Sequence, residues 1–555
     1  MDPDAPAARN PMIEALGFPV FRRIWGASLF SNFGQLIQSV GAAWAMTELT
    51  GRADMVALVQ TATFLPMMLF ALSAGAIADT YDRRKVAMTG IGIAIAGAAV
   101  MTTIAWAGLL TPWLILVFTF FIGTGFALFG PSWQASVSEQ VAPASMPAAI
   151  SLNSISYNIA RSFGPALGGA IVAAAGAAAA FMINTLFFLP MLAMLFLWRR
   201  QVEPSRLPPE RLNRALVSGV RYVIHSPRIR VVIIRTVITG TLGCAFQALL
   251  PLVAREKLQG DASTYGLLLG AFGVGAVIGA FSMTWLRERF TFEGIVQGGS
   301  VALGATMIAV AFSPWTVLTL AALVGGGISW MVMVTIYNVG IQTVLPRWVS
   351  GRALAAFQTA IAGGIAIGAW MWGHAAQGFG VGPALVIAGV SCILSAGAAI
   401  WLRLPNAPDA AEEAAEMLAE PETDLDLTPR SGPIVVEILY SVPRYRARAF
   451  YAVMLEVQLI RQRNGAYGWS MARDIANPQV WTERYHCPTW YDYLRQRSRA
   501  TQAERDVIAR ADTFHEGDGL PLIRRMLDRP FGSVRWRDDV RDSGGVAVAT
   551  GPTGP

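Results

Sequence analysis

The sequence predicts an all-α membrane protein with twelve transmembrane helices in two six-helix bundles, followed by a small cytoplasmic α+β domain of ferredoxin-like order. Three observations predict this class. The 555 residues are 54% apolar and only 14% charged. The charges avoid a series of long apolar stretches, and the chain becomes polar and mixed in character after residue 403. This composition excludes an ordinary soluble enzyme of the same length.

The apolar stretches are long enough to cross a bilayer. A helix of roughly 18 or more apolar residues can do so because it satisfies its own backbone hydrogen bonds in lipid. Six spans precede and six follow a polar segment at 199–228, which gives bundles at 23–198 and 229–403. The predicted spans cover residues 23–47, 55–79, 86–110, 112–135, 151–175, 177–198, 229–254, 264–286, 293–312, 315–340, 352–377 and 381–402.

The distribution of basic residues predicts the orientation. Up to residue 403, 19 Lys and Arg fall on the side of the termini and three on the other side, at Arg52, Arg255 and Lys257. Because cytoplasmic loops carry the excess of basic residues, both termini, with residues 1–22, should be cytoplasmic. We expect a multi-pass protein of the cytoplasmic (inner) cell membrane. Topology therefore explains the net charge of +7, which does not indicate a nucleic-acid partner.

A charged turn, GAIADTYDRRK at Gly75–Lys85, separates the second and third spans. A carboxylate at the end of a membrane helix is costly unless a basic group or a helix N-terminus lies near it. The turn supplies such partners within a few residues. Its candidate gating residues are Gly75, Asp79, Asp82, Arg83, Arg84 and Lys85.

The fifth span contains a second motif, ARSFGPALGG at Ala160–Gly169. Small residues let helices approach closely, and a proline inside a helix leaves one backbone carbonyl without its usual donor. We expect Arg161 to face a cavity in the cytoplasmic half with Glu139 as its partner, or to extend to the interface. The residues of the motif are Arg161, Gly164, Pro165, Gly168 and Gly169.

These two motifs resemble those of the major facilitator superfamily, in the enterobactin-exporter-like (transmembrane secretion effector) group. The turn is similar to the signature loop G-x-L-A-D-R-x-G-R-R/K, although Thr80 and Asp82 replace its usual Arg and Gly. Further likeness lies in FRRIWGASLFSNFGQLIQSV, ELTGRADMVALVQ and STYGLLLGAFGVGAVIGA, so it covers nearly all of the membrane part. The resemblance implies that the loop locks the cytoplasmic faces of the two halves together in the outward-open state. Loss of one basic residue at Thr80 weakens that expected lock.

The resemblance also implies a function. It predicts a secondary active, proton-coupled exporter of a small molecule, such as a siderophore, an antibiotic or another hydrophobic compound, working by alternating access. An importer with the same fold is the first alternative. The chain has no GxxxxGK[ST] phosphate loop for ATP-driven transport. It also has no Asp or Glu at the centre of a span, so the coupling residue stays open.

Polar side chains within the spans are candidates for the transport pathway. An amide in a membrane helix should face a cavity or hydrogen-bond to another helix, and both interpretations stay open here. Histidine is the side chain that titrates nearest neutral pH. The candidates are Asn32, Gln35, Gln38, Gln247, Asn338, Gln358 and His374.

An acidic linker at 404–432 precedes a domain at 433–540 and a tail at 541–555 that we expect to be disordered. The domain should have the order β-α-β-β-α-β, with a last strand at 533–539. It resembles the dimeric α/β barrels of antibiotic-biosynthesis monooxygenases, which implies a homodimer or, as a second alternative, an oxygenase-like enzyme.

The residues available for such an enzyme are Trp469, His486, Trp490 and Arg497, the last standing where many relatives have a His. We find no nucleophile–base pair and no set of metal ligands in the sequence. The three cysteines indicate neither a disulfide nor a zinc site. We therefore expect no catalytic residue, no metal and no cofactor, and a domain with a regulatory or dimerising role.

Overall fold

The computed structural model describes residues 11–199, 220–342, 350–404 and 421–528, with 422, 426 and 429 excepted. The predicted strand at 533–539 and the predicted disordered tail lie outside these residues. The chain forms two compact units. The membrane unit comprises the residues up to 216, 231–342 and 354–407, and the second unit comprises 217–230, 343–353 and 408–555.

The first half of the membrane unit is built from long helices joined by short turns. Gly176, at φ +75° and ψ 169°, interrupts the longest of them. This break divides the helix at the boundary between the predicted fifth and sixth spans. The helices are α1 (Pro11–Gly17), α2 (Pro19–Leu49), α3 (Ala53–Thr80), α4 (Arg83–Trp106), α5 (Pro112–Ser136) and α6 (Met146–Leu197).

The second half repeats this pattern. A π-helical turn, Val253–Lys257, follows α8, and a 3-10 turn, Ala396–Ile400, follows α13. The helices are α7 (Pro227–Gly243), α8 (Ala245–Leu252), α9 (Ala262–Arg289), α10 (Phe292–Phe312), α11 (Thr316–Gln342), α12 (Ser350–Phe379) and α13 (Val381–Ser395).

The number of helices agrees with the prediction. Among the described residues, ten helical segments are long and apolar enough to cross a membrane. One of them is α6 with the residues just before it, which contains two predicted spans. Helix α2, which is not among the ten, covers the predicted first span. Every predicted span therefore has a helix, and the predicted all-α membrane class is confirmed.

Local capping explains where several helices begin. The side chains of Asp82, Thr111, Asp261 and Thr291 accept hydrogen bonds from backbone N–H groups in the first turns of α4, α5, α9 and α10. These N–H groups have no partner within their own helix, so a short polar side chain at this position stabilises the helix start. Capping thus fixes the turns between consecutive helices.

The second unit contains a four-stranded antiparallel sheet with strand order β2–β3–β1–β4. Its strands are β1 (Ile434–Ser441), β2 (Tyr467–Arg473), β3 (Val480–Cys487) and β4 (Leu522–Leu527), and its helices are α14 (Ala447–Arg463), α15 (Trp490–Arg499) and α16 (Gln502–Asp512). The core includes Val436, Tyr440, Phe450, Met454 and Tyr485. The predicted small α+β domain is confirmed. Its order is β-α-β-β-α-α-β, with two helices between β3 and β4, and its fourth strand is the polar segment Leu522–Leu527, which was not predicted.

Candidate functional site

The charged turn binds the end of α5. The guanidinium of Arg83 donates to Glu139 Oε1 at 3.0 Å and to the backbone oxygen of Ala135 at 3.0 Å. Both groups are partly buried, so the pair is better shielded from solvent than a surface ion pair. Arg83 therefore holds the start of α4 against the end of α5 within the first half.

Arg84 reaches a different helix end. It donates to the backbone oxygens of Leu195 at 2.8 Å and Phe196 at 2.6 Å. These carbonyls lie in the last turn of α6, where they have no intrahelical donor, and a cation there also interacts favourably with the helix dipole. Two consecutive arginines thus join the start of α4 to the ends of α5 and α6.

The remaining residues of the turn have separate positions. Asp82 caps α4 by accepting from the N–H groups of Arg84 and Lys85 at 2.9 and 3.2 Å. The side chain of Asp79 lies outside the described part. A Cβ added to Gly75 would lie 3.9 Å from the Cβ of Ala355 in α12, so α3 faces the second half at this level. The locking role of the turn stays a prediction.

A groove of about 540 Å³ lies beside the turn. Its lining includes the apolar side chains of Ile77, Val86 and Leu128 together with Asp82 and Lys85. These residues belong to α3, α4, α5 and the turn between them, so the groove is confined to the first half. It is therefore distinct from the predicted pathway between the halves.

The helix-5 motif packs against α9 of the second half. A Cβ added to Gly169 would lie 2.5 Å from the backbone oxygen of Ala262 and 2.8 Å from the Cα of Gly266. A Cβ added to Gly273 would lie 2.5 Å from the oxygen of Arg161. Pro165 has no N–H to donate to that oxygen, which lies one helical turn earlier. Glycines on both helices thus let α6 and α9 meet backbone to backbone.

Two other residues of the motif face α2. A Cβ added to Gly164 would lie 3.0 Å from the Cβ of Leu36, and one added to Gly168 would lie 3.1 Å from the Cα of Ile37. The motif therefore contacts one helix of its own half and one helix of the other half.

The side chain of Arg161 is half-buried and makes no hydrogen bond or ion pair with any described residue. Glu139, its expected partner, binds Arg83 instead, because the turn places Arg83 directly beside the end of α5. The expected Arg161–Glu139 pair is therefore absent from the described part of the chain. Arg161 keeps its position on α6, the helix that meets the second half.

Polar contacts join the two halves on the predicted outer side. The N–H of Ala53 donates to Gln377 Oε1 at 2.7 Å, and Thr61 Oγ1 donates to the oxygen of Ala366 at 2.9 Å. Both bonds connect α3 with α12. Beside them, a Cβ added to Gly373 would lie 2.6 Å from the Cβ of Ala57.

Two further contacts close the same end of the membrane unit. Arg255 donates to the oxygen of Thr47, and the rings of Trp44 and Tyr265 stack at 6.3 Å. These contacts connect α2 with the π-helical turn and with α9. Together with the α3–α12 bonds, they hold the halves together on the predicted outer side.

The sequence profile of the transmembrane secretion effector family matches residues 12–531 of this chain. The chain belongs to that family of major facilitator transporters. It is similar to the multidrug efflux pump Tap of Mycobacterium tuberculosis, at 26% identity over 59% of this chain and 80% of that protein. It is also similar to the enterobactin exporter EntS of Salmonella choleraesuis, at 26% identity over 64% of this chain and 85% of that protein.

Solved structures support the fold of this transmembrane secretion effector. The nucleoside transporter NupG aligns with a TM-score of 0.58 at 11% identity, over 71% of this chain and 100% of that one. This similarity concerns the fold of the membrane unit. The protein is thus a multi-pass transporter of the major facilitator fold.

Two of the candidate pathway amides are bound inside the first half of the transporter. Gln38 is 5% exposed, donates to Met101 Sδ at 3.2 Å and accepts from Asn184 at 3.4 Å. Asn32 donates to Ser156 Oγ at 3.3 Å. Gln38 therefore joins α2 to α4 and α6 rather than lying between the halves, and Asn32 joins α2 to α6.

The other candidates are more accessible. Gln35, Gln247 and Gln358 are half-buried and have no hydrogen-bond partner among the described residues. Asn338 accepts from Gln342 one turn further along α11. His374 is exposed near the predicted outer end of α12, with its ring 4.9 Å from that of Trp370.

The second half contains a buried ion pair that was not predicted from the sequence. Arg235 is 3% exposed and donates to Glu293 Oε1 at 2.7 Å and to the oxygen of Leu402 at 3.1 Å. Glu293 Oε2 accepts from the N–H of Leu404 at 2.8 Å. The start of α10 is thereby tied to the chain beyond α13, much as Arg84 ties α4 to α6. The available signal was an arginine well inside the predicted span 229–254.

The interior of the α+β domain is occupied by a second ion pair. Arg461 donates to Glu483 Oε1 at 3.0 Å, and the indole of Trp469 donates to the same oxygen at 3.0 Å. Glu483 is fully buried, and the Arg461 guanidinium lies 4.8 Å from the centre of the Tyr485 ring. Side chains thus fill the space between the sheet and α14.

The four residues named for an enzyme are not brought together. On β3, His486 alternates with Glu483 and Tyr485 and so lies on the opposite face from the interior pair, next to Tyr467 at a ring distance of 5.5 Å. Trp490 packs on Tyr493, and Arg497 lies 5.9 Å from the centre of the same ring. Trp469 is engaged by Glu483 on the other side of the sheet from His486.

The described residues contain no group of three or more His, Cys, Asp or Glu that could hold a metal ion. The cysteines Cys244, Cys392 and Cys487 are free and buried. In the α+β domain, burial raises the pKa of the Cys487 thiol to about 12. This cysteine is therefore a poor nucleophile at neutral pH.

Proposed function

We propose that the protein exports a small molecule across the cytoplasmic membrane as a secondary active transporter. The observation that carries this proposal is the backbone-to-backbone contact between the helix-5 motif and α9, which connects the two halves through glycines. Relatives named as a multidrug efflux pump and an enterobactin exporter support the direction and the substrate classes: antibiotics, siderophores or other hydrophobic compounds.

Alternating access would use the contacts between the halves as its outer gate. Release to the outside requires the α3–α12 bonds, the Trp44–Tyr265 stack and the α6–α9 contact to separate or slide. In the outward-open state, the turn at Asp82–Lys85 would close the opposite side. The half-buried side chains of Arg161, Gln35, Gln247 and Gln358, which have no partner among the described residues, are the groups we assign to the pathway.

Protons are the coupling ion that we propose. Asp54, at the predicted outer end of α3, is buried and bound to Arg52 at 2.6 Å. His374 directly follows Gly373, where an added Cβ would lie 3.1 Å from the Cα of Asp54. Both are titratable, and both lie where α3 meets α12. Among the described residues of the spans, these two groups are our candidates for linking proton binding to opening of the outer side.

We also propose that the α+β domain forms a homodimer through its open sheet face. This face carries Leu522 at 53% and Met526 at 37% exposure on β4, with Tyr467 at 42% on β2. These exposed apolar side chains lie at the two edges of the sheet, with the Arg484–Glu437 ion pair between them on the same face. Exposed apolar side chains favour a second protein surface over water. Light scattering in detergent should show a dimer that Leu522→Glu converts to a monomer, whereas a monomer in both samples would refute this part.

Transport in inverted membrane vesicles tests the main proposal. An imposed proton gradient should drive uptake of a siderophore or an antibiotic from a panel, and Asp79→Asn should abolish it. Asp424→Asn, in the linker before the α+β domain, serves as a matched control that should transport normally. Uptake in right-side-out vesicles alone would establish the importer instead. No gradient effect for any compound would overturn proton-driven export.

The enzyme alternative has a direct test in the same membranes. We expect no oxygen consumption above that of control membranes when quinol-type compounds or haem are added. The positions of His486 and Trp469 on opposite faces of the sheet carry this expectation. Oxygen consumption that is lost in Trp469→Phe would establish a catalytic domain.

A further inference from the structure

The α+β domain contains a rigid turn at the end of α14. Gly465 has φ +114°, a conformation that other residues rarely adopt. Before it, Arg463 binds Glu504 Oε1, and the amide of Asn464 donates to Glu504 Oε2 at 2.9 Å. Glu504 is itself held by a capping box with Thr501 at the start of α16. The turn is therefore fixed by a carboxylate whose position the fold determines.

This turn holds the end of the segment that joins the two halves of the transporter. Arg221 donates to the oxygen of Gly465 at 3.1 Å, and the guanidinium of Arg463 lies 5.7 Å from the centre of the Tyr222 ring. Tyr222 is 3% exposed and Ser226 is 2% exposed. Residues 217–230 belong to the same compact unit as the domain.

The segment that contacts the Arg463–Gly465 turn leads directly into the second half of the transporter. Residue 226 is followed directly by Pro227, the first residue of α7. Because α7 is the first helix of the second half, any movement of the halves relative to one another must displace or stretch this segment. A domain bound to this segment experiences each such movement.

We propose that the α+β domain is a clamp on the segment before α7 and controls the rate at which the two halves exchange between their states. This inference rests on the proposed alternating access. The clamp consists of the Arg463–Gly465 turn, with Arg221 and Tyr222 as its partners. Any event that reshapes the turn, such as association of two domains, would then change transport without touching the pathway.

The first test measures docking and needs no substrate. Ser226→Cys in the full chain should react slowly with a maleimide, because its side chain is buried. Adding Arg221→Ala should speed the reaction about tenfold or more, the factor expected for loss of a charge-assisted hydrogen bond. Gly465→Ala, which strains the turn, should act likewise. Equal labelling rates in all these variants would overturn the clamp.

Matched controls separate this effect from general damage. Arg448→Ala removes an exposed arginine of α14 that has no partner among the described residues. Gly519→Ala strains a positive-φ glycine elsewhere in the domain, where a Cβ meets no atom within 4 Å. Both should leave labelling of Ser226→Cys unchanged. Faster labelling in either control would mean that the domain had loosened generally, and would count against the clamp.

The second test measures exchange between the halves. Spin labels at Leu109→Cys and Phe312→Cys, both exposed and on the predicted outer side, report the distance between the halves. Arg221→Ala should change the populations of the two distances or their exchange rate. If Arg221→Ala accelerates labelling of Ser226→Cys but leaves the spin-label distances and their exchange rate unchanged, the domain does not control exchange between the halves. Neither readout needs a substrate. Failure to find transport would therefore refute the proposed exporter, whereas the labelling rates and the distances decide whether the clamp exists.

Discussion

Gly266 is one of the tightly packed positions in the contact between α6 and α9. A Cβ added there would lie 2.6 Å from the oxygen of Pro165 and 2.8 Å from the Cα of Gly169. Both neighbours are backbone atoms, which cannot rotate away. Gly266→Ala therefore requires the two helices to move apart. The distance between the new Cβ and the Pro165 oxygen must grow from 2.6 Å to 3.4 Å, where ordinary van der Waals contact begins.

This separation weakens the state in which the outer side is closed. Overpacking of a well-packed contact costs about 1–3 kcal/mol. If the contact is made in one state of the transporter, that energy shifts the equilibrium between states by roughly 5–150-fold. Gly266→Ala should therefore enrich the outward-open state by a factor in this range.

Electron–electron distance measurements between spin labels at Leu109→Cys and Phe312→Cys would report the shift. Gly270→Ala is the matched control, because Gly270 lies on α9 like Gly266 and also faces α6. A Cβ there would meet its nearest atom, the Ser162 oxygen of α6, at 3.4 Å, which is an ordinary contact. The long-distance population should rise in Gly266→Ala and stay unchanged in Gly270→Ala. Equal distributions in both variants and the parent would refute the role assigned to this contact.

Three further predictions concern single side chains. Asp82→Ala removes the N-cap of α4 and should lower the free energy of unfolding by about 0.5–2 kcal/mol. Asp82→Asn keeps a capping oxygen and should retain most of the parent's stability; thermal unfolding measures both. Arg235→Ala leaves Glu293 without its buried partner and should cost roughly 3–5 kcal/mol; a melting temperature equal to the parent's would contradict this. Burial raises the pKa of Asp512, so its protonated form favours folding, and stability is lost as pH rises from the unfolded pKa through the folded one. Asp512→Asn should thus stabilise the α+β domain at neutral pH and flatten its pH dependence, measured by chemical denaturation.

Much of the fold could be predicted from hydropathy and turn chemistry. The twelve spans, the division into halves and the order of the α+β domain follow from local patterns, because lipid forces each apolar stretch into a helix. The fourth strand was missed since Leu522–Leu527 carries two arginines and lies largely exposed at the sheet edge. Its identity as a strand depends on pairing with β1, which is more than 80 residues earlier in the chain.

The candidate site shows a similar limit. Gln35 and Gln38 lie three residues apart on α2, yet Gln38 is enclosed by α4 and α6, while Gln35 has no partner among the described residues. Their directions differ by about 60° around the helix. Their spacing places the two side chains on neighbouring faces of α2. The rotation of α2 about its own axis decides which of these faces packs against the other helices of the first half.

The sequence by itself determined the membrane class, the charged turn and the glycine motif, because each is encoded within a few tens of consecutive residues. The tertiary structure decided that Arg83 binds Glu139, that Arg235 is paired with Glu293, and that the motif meets Gly266 and Gly273. Each of these contacts joins residues more than 50 positions apart. Their partners are chosen by how helices rotate and pack, a property of the assembled fold that no local pattern contains.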